Sequence, residues 1–375
     1  MYKSSNKIIV IIFILFLLSV NIFNVLTPDK DFSESENRVL AKVPKFSMKN
    51  LMSGRFSSKF ENYITDQFPF RDFWVAVKSD MERLALKTEN NGIYFGKDGY
   101  LLEDYKKNNE QLMENIESIN GFANRLPNVL THFLLVPNSV KIYEDKLPLF
   151  ASPYDQLESI NMVKENLYEN VDFLHVYDIL NNKKDEYIYF KTDHHWTMRG
   201  AYYTYELWAK QLGIEPYPIN DFNSEIVSNS FYGTFYSKSN NRRVPPDSIE
   251  IFKPKFHVEY NVSYLDNNKS SDSLYEYSHL NKKDKYSIFL DGNHALITIK
   301  TNINNDKKLV VFKDSYSHCF IPFLANHYDE IHVIDLRYYK LNIYDYIQEH
   351  AIKEALFLYN MTTFSDDKNI QLLNI

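Results

Sequence analysis

"KLVVFKDSYSHCFIPFLANHYDEIHVIDL", residues 308–336, reads as strand, helix, strand. Leu309–Phe312 and Ile331–Ile334 are short apolar runs without polar alternation, the pattern of strands covered on both faces. The residues between them are long enough for a helical crossover, and a strand–helix–strand unit pairs its strands in parallel. The same rhythm continues after a short helix in "EALFLYN" at 354–360. Upstream, "THFLLVPNS" (131–139) and "VDFLHVYDIL" (171–180) give two more buried strands, with helical stretches at 108–125 and 155–170. The expectation is one doubly wound α/β domain.

Two regions depart from that rhythm. "NGIYFGKDGYLLED" (91–104) places the turn residues Gly96-Lys97-Asp98-Gly99 between short apolar runs, which predicts a hairpin. Residues 215–285 are rich in Asn, Ser, Asp and Pro and read as a loop-rich insertion into the domain.

The start of the chain has a different character. Ile8–Leu26 is free of charge over nineteen residues, long enough to cross a bilayer. Lys3 and Lys7 precede it and an acidic segment follows, so the positive-inside tendency places residues 1–7 in the cytoplasm and the chain beyond Thr27 outside. No small-residue cleavage site follows the run, which favours an uncleaved anchor over a signal peptide. Residues 27–90 then form an extracytoplasmic stem with helical pattern in "FSSKFENYITDQFPFRDFWVAVKSDMERLALK", and 91–375 the α/β domain.

With 375 residues, 44% of them hydrophobic, the chain can bury a large core. Its formal net charge of -7 and its lack of a Lys/Arg block argue against nucleic acid as a partner. One cysteine, Cys319, rules out an intramolecular disulfide and a four-thiolate zinc site.

The chemistry-bearing stretch is "TDHHWT", residues 192–197. In extended chain His194 and His195 point to opposite faces, whereas Asp193 and His195 share one. That favours an Asp–His pair over a metal cage, and a carboxylate beside an imidazole fixes the tautomer of a general base. The best matching nucleophile is Ser315, where an apolar strand runs into a polar residue and a helix whose first N–H groups can hold an oxyanion. It lies 120 residues after His195, and triads are recognised by geometry and not by chain order. Rival readings are a solvated loop at 192–197, an N-cap role for Asp314-Ser315, Cys319 as a nucleophile, and a zinc deacetylase that would need a further ligand beside Asp193 and His195.

Several ordered motifs carry a resemblance: "GKDGYLLE", "VPNSVKIYEDKLP", "TDHHWTMRGA", "FYGTFYSKS", "FLDGNH" and the stretch quoted first, running from "SENRVLA" at Ser35 to "LFLYN". Together they resemble the bacterial DHHW family of cell-envelope proteins, similar to the alginate O-acetylation proteins of the SGNH-hydrolase superfamily. The resemblance implies a three-layer α/β/α SGNH-hydrolase-like, flavodoxin-like domain behind an N-terminal transmembrane helix. It also implies acetyl transfer to or from a polysaccharide hydroxyl, with a multi-pass membrane acyltransferase as acetyl donor; separately, the residues lead to the expectation of no cofactor or metal. In such proteins the Asp and His of a D-x-H motif act with a later serine, which maps onto Asp193, His195 and Ser315. There are two departures from the superfamily pattern: Lys313 stands where a Gly-Asp-Ser motif has glycine, and Ser317-His318 replaces an expected Ala-Asn. The resulting expectation is an extracytoplasmic O-acetyltransferase. Its oxyanion donors come from the Ser315 or Tyr316 backbone, with Asn293 and Asn138 as side-chain candidates. The alternatives are a carbohydrate acetyl esterase with the same triad, or a non-catalytic glycan-binding or assembly subunit using some of the 29 Tyr and 27 Phe as stacking faces.

Overall fold

The computed structural model describes residues 2–33, 36 and 38–375. Met1 of the expected cytoplasmic tail, and Ser35 and Asn37 of "SENRVLA", lie outside the described residues. The chain divides into two compact units, residues 1–90 with 237–243, and residues 91–236 with 244–375.

In the first unit, helix α1 (Tyr2–Leu26) contains a window, Lys7–Asn24, long and apolar enough to cross a membrane and wholly unburied. The helical pattern expected after it is broken in two, α2 (Arg55–Asp66) and α3 (Arg71–Leu84). The break falls at Pro69, which disfavours helical backbone in the residue before it, and Phe70 caps α3 in a left-handed conformation at φ 56°. Buried polar groups tie the turn down. Gln67 brackets the main chain of Lys30 and Ala41, and the guanidinium of Arg38 forks onto Asp66 at 2.5 and 2.9 Å. On α3, Asp80 pairs with Arg243 and Arg83 donates to Asn241, so this helix holds the 237–243 segment.

The second unit begins with the expected hairpin, β1 (Ile93–Phe95) and β2 (Leu101–Glu103), paired antiparallel. Helix α4 (Asn109–Arg125) starts at Asn108, whose side chain accepts from the Gln111 N–H. It is followed by β3 (Leu130–Val136), α5 (Gln156–Asn166), β4 (Val171–His175) and α6 (Met198–Gln211). Next come a hairpin, β5 (Phe222–Phe231) with β6 (Asp247–Pro254), then β7 (Tyr260–Tyr264) and β8 (Lys269–Ser271). The chain finishes through β9 (Leu296–Thr301), β10 (Lys308–Lys313), β11 (Glu330–Ile334), α7 (Ile343–Glu349) and β12 (Glu354–Asn360).

One eight-stranded sheet organises the unit, in the order β8-β7-β9-β11-β10-β12-β3-β4. The five strands from β11 to β4 are parallel, and β9, β7 and β8 extend it antiparallel. Leu309, Val310, Val311 and Phe312 are all 0% exposed. Since successive side chains point to opposite faces, both faces of the sheet are covered, as the unalternated run predicts. On one face, Phe122 of α4 sets its ring edge-on to Phe312 and Phe357, 5.3 and 5.1 Å away.

The 215–285 region is not the loop-rich insertion that its composition suggests. It contributes β5, β6 and two strands of the main sheet. Strands β7 and β8 lie at its antiparallel edge, where exposed positions carry Asn and Ser, so their apolar content is too low to stand out. The parallel strands present their carboxyl ends to one edge, where Asn138, Asp314, Asp335 and Asn360 follow or end β3, β10, β11 and β12. In open α/β sheets that edge is where ligands bind.

Candidate active site

Strand β10 ends at Lys313, and Asp314 turns the chain into a short 3-10 helix, Ser315–Cys319. Asp314 caps it, one carboxylate oxygen accepting from the Tyr316 N–H at 2.8 Å. The other oxygen accepts from the backbone and side-chain N–H groups of Asn360, at 2.7 and 2.6 Å. Asp314 is fully buried, and burial pushes its carboxyl up to about 6 against the pull of those donors. Ser315 is therefore fixed at the first helical position by an acid anchored to β12.

The 192–197 segment meets that serine. Ser315 Oγ is 2.7 Å from His195 Nε2, and Asp193 Oδ1 is 2.5 Å from His195 Nδ1. This is the order in which a carboxylate orients an imidazole and the imidazole accepts a hydroxyl proton. Burial alone would raise the Asp193 carboxyl. The neighbouring His194 and His195, with hydrogen bonds from His195 and Thr234, outweigh it and hold the carboxyl well below the ordinary range.

The segment reaches this geometry by bending, not by running extended. Asp193 Oδ1 also accepts from the His195 backbone N–H at 3.1 Å, a local turn in which an Asp side chain bonds the main chain two residues on. The parity argument fails as a result. The His194 and His195 rings lie 3.8 Å apart, and His194 Nδ1 is 3.6 Å from Asp193 Oδ1.

Neighbouring segments hold the bend. Asp247 accepts from the backbone of Lys191 and Thr192 at 2.8 and 2.7 Å and from the Thr192 hydroxyl at 2.5 Å. The second oxygen of Asp193 accepts from the Thr234 N–H at 2.7 Å, and Gly233 N–H donates to the Thr192 hydroxyl. A Cβ on Gly233 would lie 2.2 Å from Asp193 Cβ and 2.3 Å from its Oδ2, so only glycine lets the "FYGT" stretch approach. Trp196, fully buried, donates its indole N–H to the Tyr316 carbonyl at 2.9 Å, while the Tyr316 hydroxyl donates to the His194 carbonyl.

Tyr286 lies flat on His195, ring centroids 3.7 Å apart at 11°, and its hydroxyl donates to the Ser315 carbonyl at 3.1 Å. An electron-rich ring against an imidazole stabilises the protonated form that follows proton transfer. Tyr286, Gly233-Thr234, Trp196 and Asp247 are functional contacts that sequence reasoning missed. Only "FYGTFYSKS" and the tryptophan stood out beforehand, as motifs without a role.

The oxyanion candidates fare unevenly. The Tyr316 N–H is already given to Asp314. Asn138 donates both amide protons, to the Tyr316 hydroxyl (3.1 Å) and to Asn360 (3.0 Å), and its oxygen accepts from Gln156 and Thr362. It is part of the scaffold between β3 and β12. Asn293 turns its oxygen to Lys313 Nζ at 3.0 Å and Arg337 at 3.3 Å. The Ser315 N–H, first in its helical turn, has no intrahelical acceptor.

Lys313 is wholly buried and pairs with Asp335 at 2.9 Å, so it fills the space that a glycine would leave open. Its ammonium also donates to His318 Nε2 at 2.8 Å. Burial, with the adjacent Lys313 charge, pushes His318 well below the ordinary imidazole range, so it stays neutral inside the fold. Cys319 is buried and its thiol is pushed up to about 12 by burial, which removes it as a rival nucleophile.

Among the described residues, two clusters have metal-ligand composition. Asp193, His194 and His195 place ligand atoms within 4.8 Å of one another, but both ring nitrogens of His195 already face Asp193 and Ser315. Glu330, His332 and His350 form the second, where Lys308 and Lys300 approach the carboxylate to 3.3 and 3.5 Å.

The model of the DHHW protein family matches residues 95–334. Among solved structures, the chain is similar to a DHHW family protein from Eubacterium siraeum, 25% identical over 76% of this chain and 96% of that one, with a TM-score of 0.67. It is similar in fold to PatB1 of Bacillus cereus, 23% identical over 72% and 97% of the two chains, TM-score 0.62. A looser likeness joins it to the O-acetyltransferase domain of Pseudomonas putida AlgJ, 15% identical over 76% and 99%, TM-score 0.49. Nothing among curated proteins matches the sequence. The chain shares with these solved structures a mixed α/β fold built on one large central sheet.

Proposed function

The chain belongs to the DHHW family, and from that premise we propose that it is an O-acetyltransferase acting outside the cytoplasm on a cell-envelope or secreted polysaccharide. The observation that carries the reading is the position of His195, with Asp193 on one ring nitrogen and Ser315 on the other. The buried, ionised Asp193 keeps the proton on Nδ1, so Nε2 is free to accept one. Ser315 Oγ attacks the acetyl carbonyl while its proton passes to His195 Nε2, and the Ser315 N–H faces the developing oxyanion. Collapse breaks the bond to the donor's oxygen, which leaves with the proton from His195, and an acetyl-serine forms. An acceptor sugar hydroxyl then gives its proton to His195 and attacks the acetyl carbon, releasing the ester and restoring Ser315.

Helix α1 serves as a single-pass anchor with the α/β domain outside, and a multi-pass membrane acyltransferase supplies acetyl groups across the bilayer. The test is to incubate the protein with an activated acetyl ester and map the acetyl group by mass spectrometry. The adduct is expected on the Ser315 peptide, and an added glycan should discharge it to a glycan ester. Acetate alone as product would make the protein an esterase, and no adduct on Ser315 would overturn the serine mechanism.

A further inference from the structure

Helix α3 turns its apolar side away from its own unit. Phe70, Phe73, Trp74, Val77, Met81 and Leu84 recur at three- and four-residue spacing and so form one stripe. Phe70 is 70% exposed, Phe73 58%, Trp74 48%, Met81 60% and Leu84 71%. The opposite face is the one that packs against protein: Ser79 is buried there, Asp80 pairs with Arg243, and Arg83 donates to Asn241. A soluble helix normally does the reverse.

The other end of the stripe shows what covers it. Phe70, held in the left-handed conformation at φ 56°, sets its ring edge-on to Phe23, 6.2 Å away. Phe23 belongs to the apolar window of α1, one residue from its end at Asn24. The stripe therefore begins where the chain leaves the hydrocarbon, at the depth where aromatic rings collect on membrane proteins. Lys78 flanks the stripe, 72% exposed at its side chain and 3.6 Å from Glu82, a surface pair weak enough for the ammonium to reach lipid phosphates instead.

We infer that α3 lies in the outer leaflet's interface with this stripe immersed, so that the juxtamembrane unit is a second membrane contact and not a free stem. The inference rests on α1 being a membrane anchor. At a rise of 1.5 Å per residue the helix runs for about 20 Å along the surface.

The three tryptophans make the test direct, because Trp196 and Trp208 are fully buried and Trp74 is exposed. Full-length protein is reconstituted in phosphatidylcholine/phosphatidylglycerol vesicles carrying lipids brominated at the upper or the terminal acyl carbons. The expected result is a blue-shifted Trp74 emission, quenched more by the shallow label than by the deep one and insensitive to aqueous iodide. In Trp74→Phe the lipid-dependent quenching should vanish. Protein that floats with the vesicles while Trp74 stays open to iodide overturns the inference and leaves the anchor standing. A blue-shifted Trp74 that no lipid label quenches overturns it in favour of a protein partner or a second copy. Protein that does not float overturns the anchor, and the inference falls with it.

Discussion

The indole N–H of Trp196 reaches the main-chain carbonyl of Tyr316 at 2.9 Å. The residue after His195 is thereby bonded to the residue after Ser315, across 120 positions of sequence. Bases and nucleophiles on separate loops drift unless something fixes their spacing, and a drift of about an ångström can cost on the order of a hundredfold in rate. Here a fully buried ring and one hydrogen bond fix it.

Ser315→Ala and His195→Ala should each nearly abolish turnover of an acetyl ester, and the double variant should be hardly worse, because the pair acts as a unit. Asp193→Asn should cost up to about ten-thousandfold by disturbing the tautomer. His194→Ala should cost roughly tenfold, since its ring supports both His195 and Asp193 without touching Ser315. Steady-state kinetics on the purified variants check all four, and independent multiplicative losses for Ser315 and His195 would refute a shared mechanism.

Gly233→Ala should be nearly as damaging as Asp193→Asn while the protein stays folded. The added methyl cannot fit at 2.2 Å from Asp193 Cβ, so the carboxylate must move off His195. Activity should fall by at least about a hundredfold with circular dichroism unchanged, and a fully active Gly233→Ala enzyme would contradict the packing.

Tyr286→Leu should lower kcat by up to about tenfold, the range expected for losing an aromatic face from a transient cation. Tyr286→Phe keeps the ring and should retain most activity, losing only the hydroxyl's bonds to the Ser315 carbonyl and to Cys319 Sγ. Equal damage in both variants would assign the effect to those hydrogen bonds.

Asp314 and Asp193 should imprint opposite pH dependences on stability. The folded-state value of Asp314 lies above the usual one, so the native state binds the extra proton and stability falls as pH rises from about 4 to about 6. A shift of that size corresponds to about 3 kcal/mol. Asp314→Asn, measured by urea unfolding, should therefore be less destabilising at pH 7 than at pH 4. The depressed Asp193 contributes stability that is present above the ordinary carboxylate range and lost as pH falls below it. Asp193→Asn should thus weaken the protein at neutral pH and less in acid.

A reporter that works only outside the cytoplasm, fused after Ile375, should be active in cells, and a cytoplasm-only reporter in the same place should be silent. The reverse pattern would sink the extracytoplasmic assignment and the glycan acceptor with it.

The sheet's parallel core was legible because Leu309–Phe312, Ile331–Ile334 and the runs in 131–136 and 354–360 lack alternation, which only double-sided burial tolerates. The Asp193, His195 and Ser315 constellation was legible through residue type and through the strand-to-helix turn at Asp314. What stayed hidden depends on tertiary approach. The role of Gly233 exists only because Asp193 sits against its Cα. The tilt of His194 onto His195 follows from a turn that Asp193 makes with its own backbone, which a parity rule for extended chain cannot register. Strands β7 and β8 lie at an edge where one face is wet, so their composition resembles loop. Lys313 reads as a departure from a glycine motif until Asp335, 22 residues on, supplies its counter-charge.

The last parallel strand, β12, enters the sheet between β10 and β3, and its final residue, Asn360, grips the aspartate beside Ser315. A polypeptide is made from its amino end, so Ser315 and His195 are synthesised before the strand that completes their support. Nascent or truncated chains ending short of residue 360 therefore carry Asp193, His195 and Ser315 without the Asn360 bonds that anchor Asp314. The support beside Ser315 is complete only once residue 360 has joined the sheet.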